Sequence, residues 1–140
     1  MTNTPILLVE DNPHDQEFTL TALKKCKLSQ KVITVNDGEE ALHYLNSQGK
    51  YSARQQENPS LILLDLKLPK IDGVELLKRI RFTPEWSSIP IVVLSTSNLE
   101  SDLHRTRVLG ISEYVVKSMD FKAFTNSLCN VIPPLLDRET

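Results

Sequence analysis

Short aliphatic runs without polar alternation recur along the chain, each followed by a longer polar segment in which apolar residues return every three or four positions. The first run covers residues 6–9. The segment from 13 to about 26 sets Phe18 and Leu23 among polar residues, and Asn12 before Pro13 is a good helix start, because asparagine caps free N–H groups and proline suits the first helical position. A second run, 32–35, leads through Asp37-Gly38 to a helix with Ala41, Leu42 and Leu45 at helical spacing. The third run, 61–64, passes straight into Asp65, and after Gly73 residues 74–81 read as a helix with Leu76, Leu77 and Ile80 inward. The fourth, 89–94, ends in Ser95-Thr96-Ser97, and the helix beyond it stops near Leu109, with Gly110 as a suitable terminator. The fifth, 114–116, ends in Lys117. A last helix starts near Asp120, places Phe121, Phe124, Leu128 and Val131 on one stripe, and is expected to break at Pro133-Pro134.

Strands alternating with helices are the sign of a parallel sheet covered on both faces, which is also why the runs lack polar alternation. The pattern predicts an α/β fold with a doubly wound parallel sheet and right-handed crossovers. One domain is expected over residues 1–132, with a tail over 133–140. Residues 47–59, SQGKYSARQQENP, are polar, aperiodic and long for a connection, and read as a surface excursion.

Composition narrows the function. The 140 residues are 40 % apolar and 24 % charged, with a net charge of −2 and no basic stripe, which argues against nucleic acid as the partner. No run approaches the ~20 apolar residues of a membrane span. The opening MTNTPILLVED lacks a basic leader and reads as a strand, so a cytoplasmic protein is expected. Cys26 and Cys129 stand alone and read as buried structural thiols, and His14, His43 and His104 are too dispersed for a metal cluster.

Open parallel sheets bind ligands beyond the carboxyl ends of their strands. That edge collects Glu10 and Asp11 after the first run, Asp65 after the third, Ser95 after the fourth and Lys117 after the fifth. Crowded carboxylates resist ionisation unless a cation joins them, and Mg²⁺ suits carboxylates plus phosphate oxygens. Asp65 could then act as a nucleophile toward phosphorus, with Lys117, Ser95 and backbone N–H groups stabilising the phosphoryl oxygens.

At these residues the chain resembles the receiver domain of bacterial two-component response regulators, from ILLVEDN at Ile6 through LLDLKLPKIDG to the last helix. The resemblance implies a single flavodoxin-like domain with a five-stranded parallel sheet in the order 2-1-3-4-5. It makes Asp65 the phosphoacceptor, Ser95 the switch hydroxyl, Tyr114 the switch aromatic and Lys117 the strand-five lysine. It also implies Mg²⁺ held by Asp11, Asp65 and the backbone carbonyl of Lys67, with Glu10 acting through water. The polar insertion, the wording LILLDLKLP and the run IPIVVLSTSN are similar to the small response regulators paired with cyanobacterial phytochromes, which implies a phytochrome-type sensor histidine kinase as partner.

Two positions depart from the family pattern. Ser118 stands where proline usually follows the lysine, and since a cis bond before a non-proline residue costs about 2.5–4 kcal/mol, a trans Lys117-Ser118 bond is expected. Lys67, two residues after the acceptor, places a cation where it could touch the phosphoryl group. The expected protein is not an enzyme beyond its own phosphorylation and dephosphorylation. Its kinase specificity is expected on residues 15–23. Output is expected through protein contacts, including a homodimer built on the fourth helix, fifth strand, fifth helix and tail with Leu103, Tyr114, Leu135 and Leu136. Two alternatives stay open: an adaptor that binds partners without a switch, and a Mg²⁺-dependent small-molecule phosphotransferase, the latter disfavoured by the lack of a glycine-rich loop.

Overall fold

The aliphatic run Ile6–Val9 forms strand β1, at the centre of a parallel ladder with β2 (Val32–Val35) on one side and β3 (Leu61–Asp65) on the other. In this computed structural model, which describes residues 4–54 and 57–137, β4 (Ile91–Ser95) and β5 (Glu113–Val116) complete a five-stranded sheet in the order β2-β1-β3-β4-β5. The helices between and after the strands are α1 (Pro13–Lys25), α2 (Gly38–Leu45), α3 (Gly73–Arg81), α4 (Glu100–Val108) and α5 (Phe121–Asp137). The expected doubly wound topology is therefore present.

Side chains alternate across each strand, so every strand feeds two cores. Leu7, Val9, Ile62, Leu64, Ile91 and Val93 pack with Ala41 and Leu45 of α2 and Leu76, Leu77 and Ile80 of α3. Ile6, Leu8, Leu61, Leu63, Val92 and Leu94 face the other way, onto Ala22 and Leu23 of α1 and Phe124, Leu128 and Ile132 of α5. Burial on both faces is the physical reason that β1, β3 and β4 are uniformly apolar.

Three expectations are corrected. First, α5 does not break at Pro133-Pro134 but continues to Asp137. Each of the two interior prolines costs about 3 kcal/mol, and burying Ile132 and Leu136 against the sheet returns roughly 3–6 kcal/mol, which offsets much of that cost. Second, Cys26 and Cys129 are not separate thiols: they form a disulfide with Cα atoms 5.0 Å apart. Cys26 caps α1 and Cys129 lies in α5, and the two helices pack side by side on one sheet face, with Phe18 against Phe121 and Phe124 at ring separations of 5.2 and 5.4 Å. A separation of 103 residues gives no pairing signal in sequence. Third, β4 starts at Ile91 instead of residue 89, because Pro90 has no N–H for the ladder and contributes only its carbonyl, to Ile62 N.

The excursion over 47–59 is tied down where it is described; residues 55 and 56 of it lie outside the described residues. A short 3₁₀ turn, Gly49–Tyr51, brings the Tyr51 hydroxyl to donate to Glu40 Oε2 at 2.6 Å. Arg54 lies 4.0 Å over the Tyr44 ring and donates to its carbonyl oxygen. Among the described residues, no helix is long and apolar enough to cross a membrane.

Candidate functional site

β1, β3, β4 and β5 each lead to site groups at the carboxyl edge of the sheet. Glu10 follows β1 directly and is 1 % exposed, with its backbone N–H donating to Val35 O. Asn12 caps α1, its Oδ1 accepting from the N–H groups of His14 and Asp15 at 2.9 and 3.0 Å, while Glu10 Oε2 accepts from Asn12 N–H at 3.2 Å. Asp65 and Ser95 are not beyond their strands but are the last residues within them, paired in register with Leu94 and Val116. A side chain held in the ladder is fixed more tightly than one on a loop.

The loop after Asp65 returns sharply, and Gly73 makes that return possible. Its N–H donates to Leu66 O at 2.9 Å, and a Cβ at Gly73 would sit 2.5 Å from the Asp65 carbonyl oxygen and from Leu66 Cα. The Asp72-Gly73 pair is thus a cap, Asp72 accepting from Glu75 N–H, followed by a residue without room for a side chain.

Lys117 is the hub. Its Nζ donates to Glu10 Oε1 at 2.6 Å, Asp15 Oδ2 at 3.2 Å and Asp65 Oδ2 at 3.2 Å. Burial raises the Glu10 carboxyl, the Lys117 hydrogen bond pulls it down, and the Asp65 charge raises it again, to about 7 overall. For Lys117, burial opposes the charge, but the bond to Glu10 and the negative charges of Asp65 and Glu10 prevail and hold the ammonium above its ordinary range. Carboxylate oxygens of Glu10, Asp11 and Asp65 all lie within 4.8 Å of one another. A set of hard, anionic oxygen donors at that spacing fits a hard divalent cation such as Mg²⁺.

Ser95 is buried, its Oγ accepting from Ser97 N–H at 3.1 Å and its carbonyl from Lys117 N–H at 2.7 Å. Tyr114 is half-buried and donates its hydroxyl to Ser97 O at 2.7 Å, so the two expected switch residues meet on Ser97. Ser97 in turn donates its Oγ to Asp102 Oδ2 at 2.6 Å, linking β4 to α4. The Lys67 side chain is exposed, while its N–H donates to Asp65 Oδ1 at 3.1 Å. No peptide bond among the described residues is cis, so Lys117-Ser118 is trans as expected.

Sequence reasoning brought Glu10, Asp11, Asp65 and Lys117 together correctly, and missed two participants. Asp15 was assigned only to a docking surface, yet its carboxylate reaches Lys117. Its signal was available: it is the third residue after a capping asparagine, a position whose side chain turns back toward the helix start. Ser97 left no signal, since STS offers three adjacent hydroxyls and only the backbone path decides which one bridges. Leu136, expected at an exposed dimer face, is 7 % exposed and part of the core.

The family model of the response regulator receiver domain matches residues 6–128. The response regulator Rcp1 of Synechocystis sp. is 40 % identical over 117 residues, which cover 84 % of this chain and 78 % of that protein. The crystal structure of its Mn²⁺-bound form superposes with a TM-score of 0.82 at 37 % identity, covering 91 % of both chains. The bacteriophytochrome response regulator RtBRR is 47 % identical with a TM-score of 0.83, covering 94 % of this chain and 79 % of that one. The phosphorylated cyanobacterial phytochrome response regulator RcpA has a TM-score of 0.87 at 37 % identity, covering 99 % and 98 %.

Proposed function

We propose, for a chain that belongs to the response regulator receiver domain family and is related to phytochrome response regulators, that it is a switch phosphorylated on Asp65 by a histidine kinase. The observation that supports this best is the Lys117 ammonium bonded to both Glu10 and Asp65 beside a three-carboxylate cluster at the carboxyl edge of the sheet. In the transfer an Asp65 carboxylate oxygen attacks phosphorus, an O–P bond forms, and the N–P bond to the kinase imidazole breaks with its electron pair left on nitrogen. Lys117 donates to the phosphoryl oxygens, and the Lys67 N–H already fixes one Asp65 oxygen.

Glu10, Asp11, Asp65 and the carbonyl of Lys67 would hold Mg²⁺. When bound, a divalent cation supplies charge neutralisation for the carboxylates and the phosphoryl oxygens.

The phosphoryl group adds roughly 1.5–2 negative charges, by analogy with other phosphorylated side chains. Ser95 then turns its hydroxyl to the phosphoryl oxygens, releasing the Ser97 N–H, and Tyr114, which shares Ser97 with it, changes position. Driving such a two-state element from 1:99 to 99:1 takes about 5.5 kcal/mol of differential interaction, within reach of a few charge-assisted hydrogen bonds.

Output is a protein contact on the α4, β5 and α5 face, a homodimer included. Support for that face comes from exposed apolar side chains on it, Leu99 at the start of α4, Val108 at its end and Val116 of β5, 62 %, 69 % and 44 % exposed. The kinase is of phytochrome type and the protein works in the cytoplasm, a placement that rests on the kinase partner. The reaction is the protein's own modification and not turnover of a substrate.

Incubation with acetyl phosphate and Mg²⁺, followed by intact mass, tests the reading. One phosphoryl adduct that disappears in Asp65→Asn is expected. An unmodified chain, or an adduct that survives in Asp65→Asn, overturns it.

A further inference from the structure

The Lys117 ammonium has three N–H donors, and three carboxylates accept from them: Glu10, Asp15 and Asp65. Two of these have other duties in the proposed reaction. Asp65 is the acceptor, and Glu10 stands with Asp11 and Asp65 in the acidic cluster. Asp15 lies outside that cluster and is about half exposed, at 46 % of its side chain.

The start of α1 explains why Asp15 faces the site. A carboxylate at the third helical position ordinarily accepts from the N–H of the cap residue. Here the Asn12 N–H is taken by Glu10 Oε2 at 3.2 Å, while Asn12 Oδ1 holds the Asp15 N–H at 3.0 Å. The Asp15 backbone is thereby fixed and its carboxylate is left to accept from Lys117. The lysine stem is flexible, so the direction of its ammonium is set by its partners.

We propose that Asp15 is a positioning residue for phosphoryl transfer: with Glu10 it holds Lys117 Nζ from two directions, so that the third donor stays aimed at Asp65 and the phosphoryl group arriving there. The inference rests on the proposed function and deepens it. With acetyl phosphate, the bond between the acetyl oxygen and phosphorus breaks, acetate leaves with the electron pair, and the Asp65 oxygen bonds to phosphorus. The Asp65 carboxylate gives up its negative charge in that step and the phosphoryl oxygens become the anionic acceptors. Lys117 must follow that charge without being drawn toward Glu10 alone.

The test is the initial rate of phosphorylation by acetyl phosphate at saturating Mg²⁺ for wild type, Asp15→Asn, Asp15→Glu and Lys117→Ala, and for Asp15→Asn combined with Lys117→Ala. Asp15→Asn is expected to lower the maximal rate about ten-fold, as misaligned catalytic groups do, with the half-saturating donor concentration and thermal midpoint unchanged. Asp15→Glu is expected to restore most of the rate, and Asp15→Asn to cost nothing further once Lys117 is alanine. A rate for Asp15→Asn within two-fold of wild type, a faster rate, or an equal further loss in the Lys117→Ala background overturns the positioning role while leaving phosphorylation of Asp65 intact. A wild-type chain with no Asp65-dependent adduct overturns both readings.

Discussion

Lys117 Nζ stands 2.6 Å from Glu10 Oε1, and that carboxylate is almost wholly buried, so the shortest ion pair of the site joins the end of β5 to the end of β1 across β3 and β4. Burial and the neighbouring Asp65 charge raise Glu10 to about 7 even with the lysine beside it. A carboxyl raised on folding binds its proton more tightly in the native state than in the unfolded chain. Its stabilising contribution is therefore full below the ordinary value of 4.5 and is lost as pH rises through about 7. With divalent cations chelated, the stability of Glu10→Gln relative to wild type should climb between pH 5 and pH 8, by an amount on the order of 1–3 kcal/mol, and its thermal midpoint should rise relative to wild type accordingly. Thermal melts of the two proteins across that range check it, and a flat or falling difference contradicts it.

Magnesium should act in the opposite sense. Filling the cluster of Glu10, Asp11 and Asp65 neutralises the repulsion that makes ionised Glu10 costly. At a free Mg²⁺ concentration about 100-fold above the dissociation constant the native state gains about 2.7 kcal/mol. Asp11→Asn should lose most of the resulting rise in melting temperature. An equal rise in wild type and Asp11→Asn would show that the ion binds elsewhere.

Gly73 is where the loop after Asp65 returns against it, and an added Cβ would lie 2.5 Å from the Asp65 carbonyl oxygen. Gly73→Ala should cost roughly 1–3 kcal/mol or more, since the obstacle is backbone and not a side chain that can turn away. Because the strain falls on Asp65 itself, phosphorylation should slow as well. Urea unfolding and phosphorylation rate are the two readouts, and a neutral effect on both would contradict the close approach.

The disulfide closes a loop of 103 residues by tying the end of α1 to α5. Reduction, or Cys26→Ser with Cys129→Ser, should lower unfolding free energy by about 2–4 kcal/mol while leaving the sheet in place. Paired melts with and without reductant test this, with the double serine variant insensitive to reductant.

Glu40 behaves in reverse to Glu10. Burial alone would raise it, but the Tyr51 hydroxyl, the Asn36 N–H and Lys50 outweigh burial and hold it at about 2. A depressed carboxyl stabilises above its ordinary value of 4.5 and loses that contribution as pH falls toward 2. Tyr51→Phe should therefore cost about 1 kcal/mol at neutral pH and progressively less in acid. Urea titrations at pH 7 and pH 2 check this, and an equal cost at both would contradict it.

These particulars also mark what the sequence could say. Strand ends were legible because burial on both faces forces unbroken aliphatic runs, and the first polar residue after each run identifies the edge of the sheet. That logic located Glu10, Asp65, Ser95 and Lys117 from one chain. Helix breaking at Pro133-Pro134 was misjudged because local propensity was weighed without the tertiary burial of Ile132 and Leu136 that offsets it. The disulfide was hidden because it depends on which helices meet across a separation of 103 residues, which periodicity does not encode; Ser97 was hidden among adjacent hydroxyls, and Asp15 was readable as a helix-start carboxylate while its distant partner Lys117 was not.

Asp65, the proposed nucleophile, is the last residue of β3. An aspartyl phosphate is an acyl phosphate and is reduced by borohydride to homoserine, which records its position in the chain. After phosphorylation and borohydride treatment, peptide mass spectrometry should find homoserine at residue 65 alone, dependent on Mg²⁺ and weakened by Lys117→Ala. A reduced residue at Glu10, Asp11 or Asp15, or an unreduced Asp65 in a chain shown to bear a phosphoryl group, would rule Asp65 out as the acceptor.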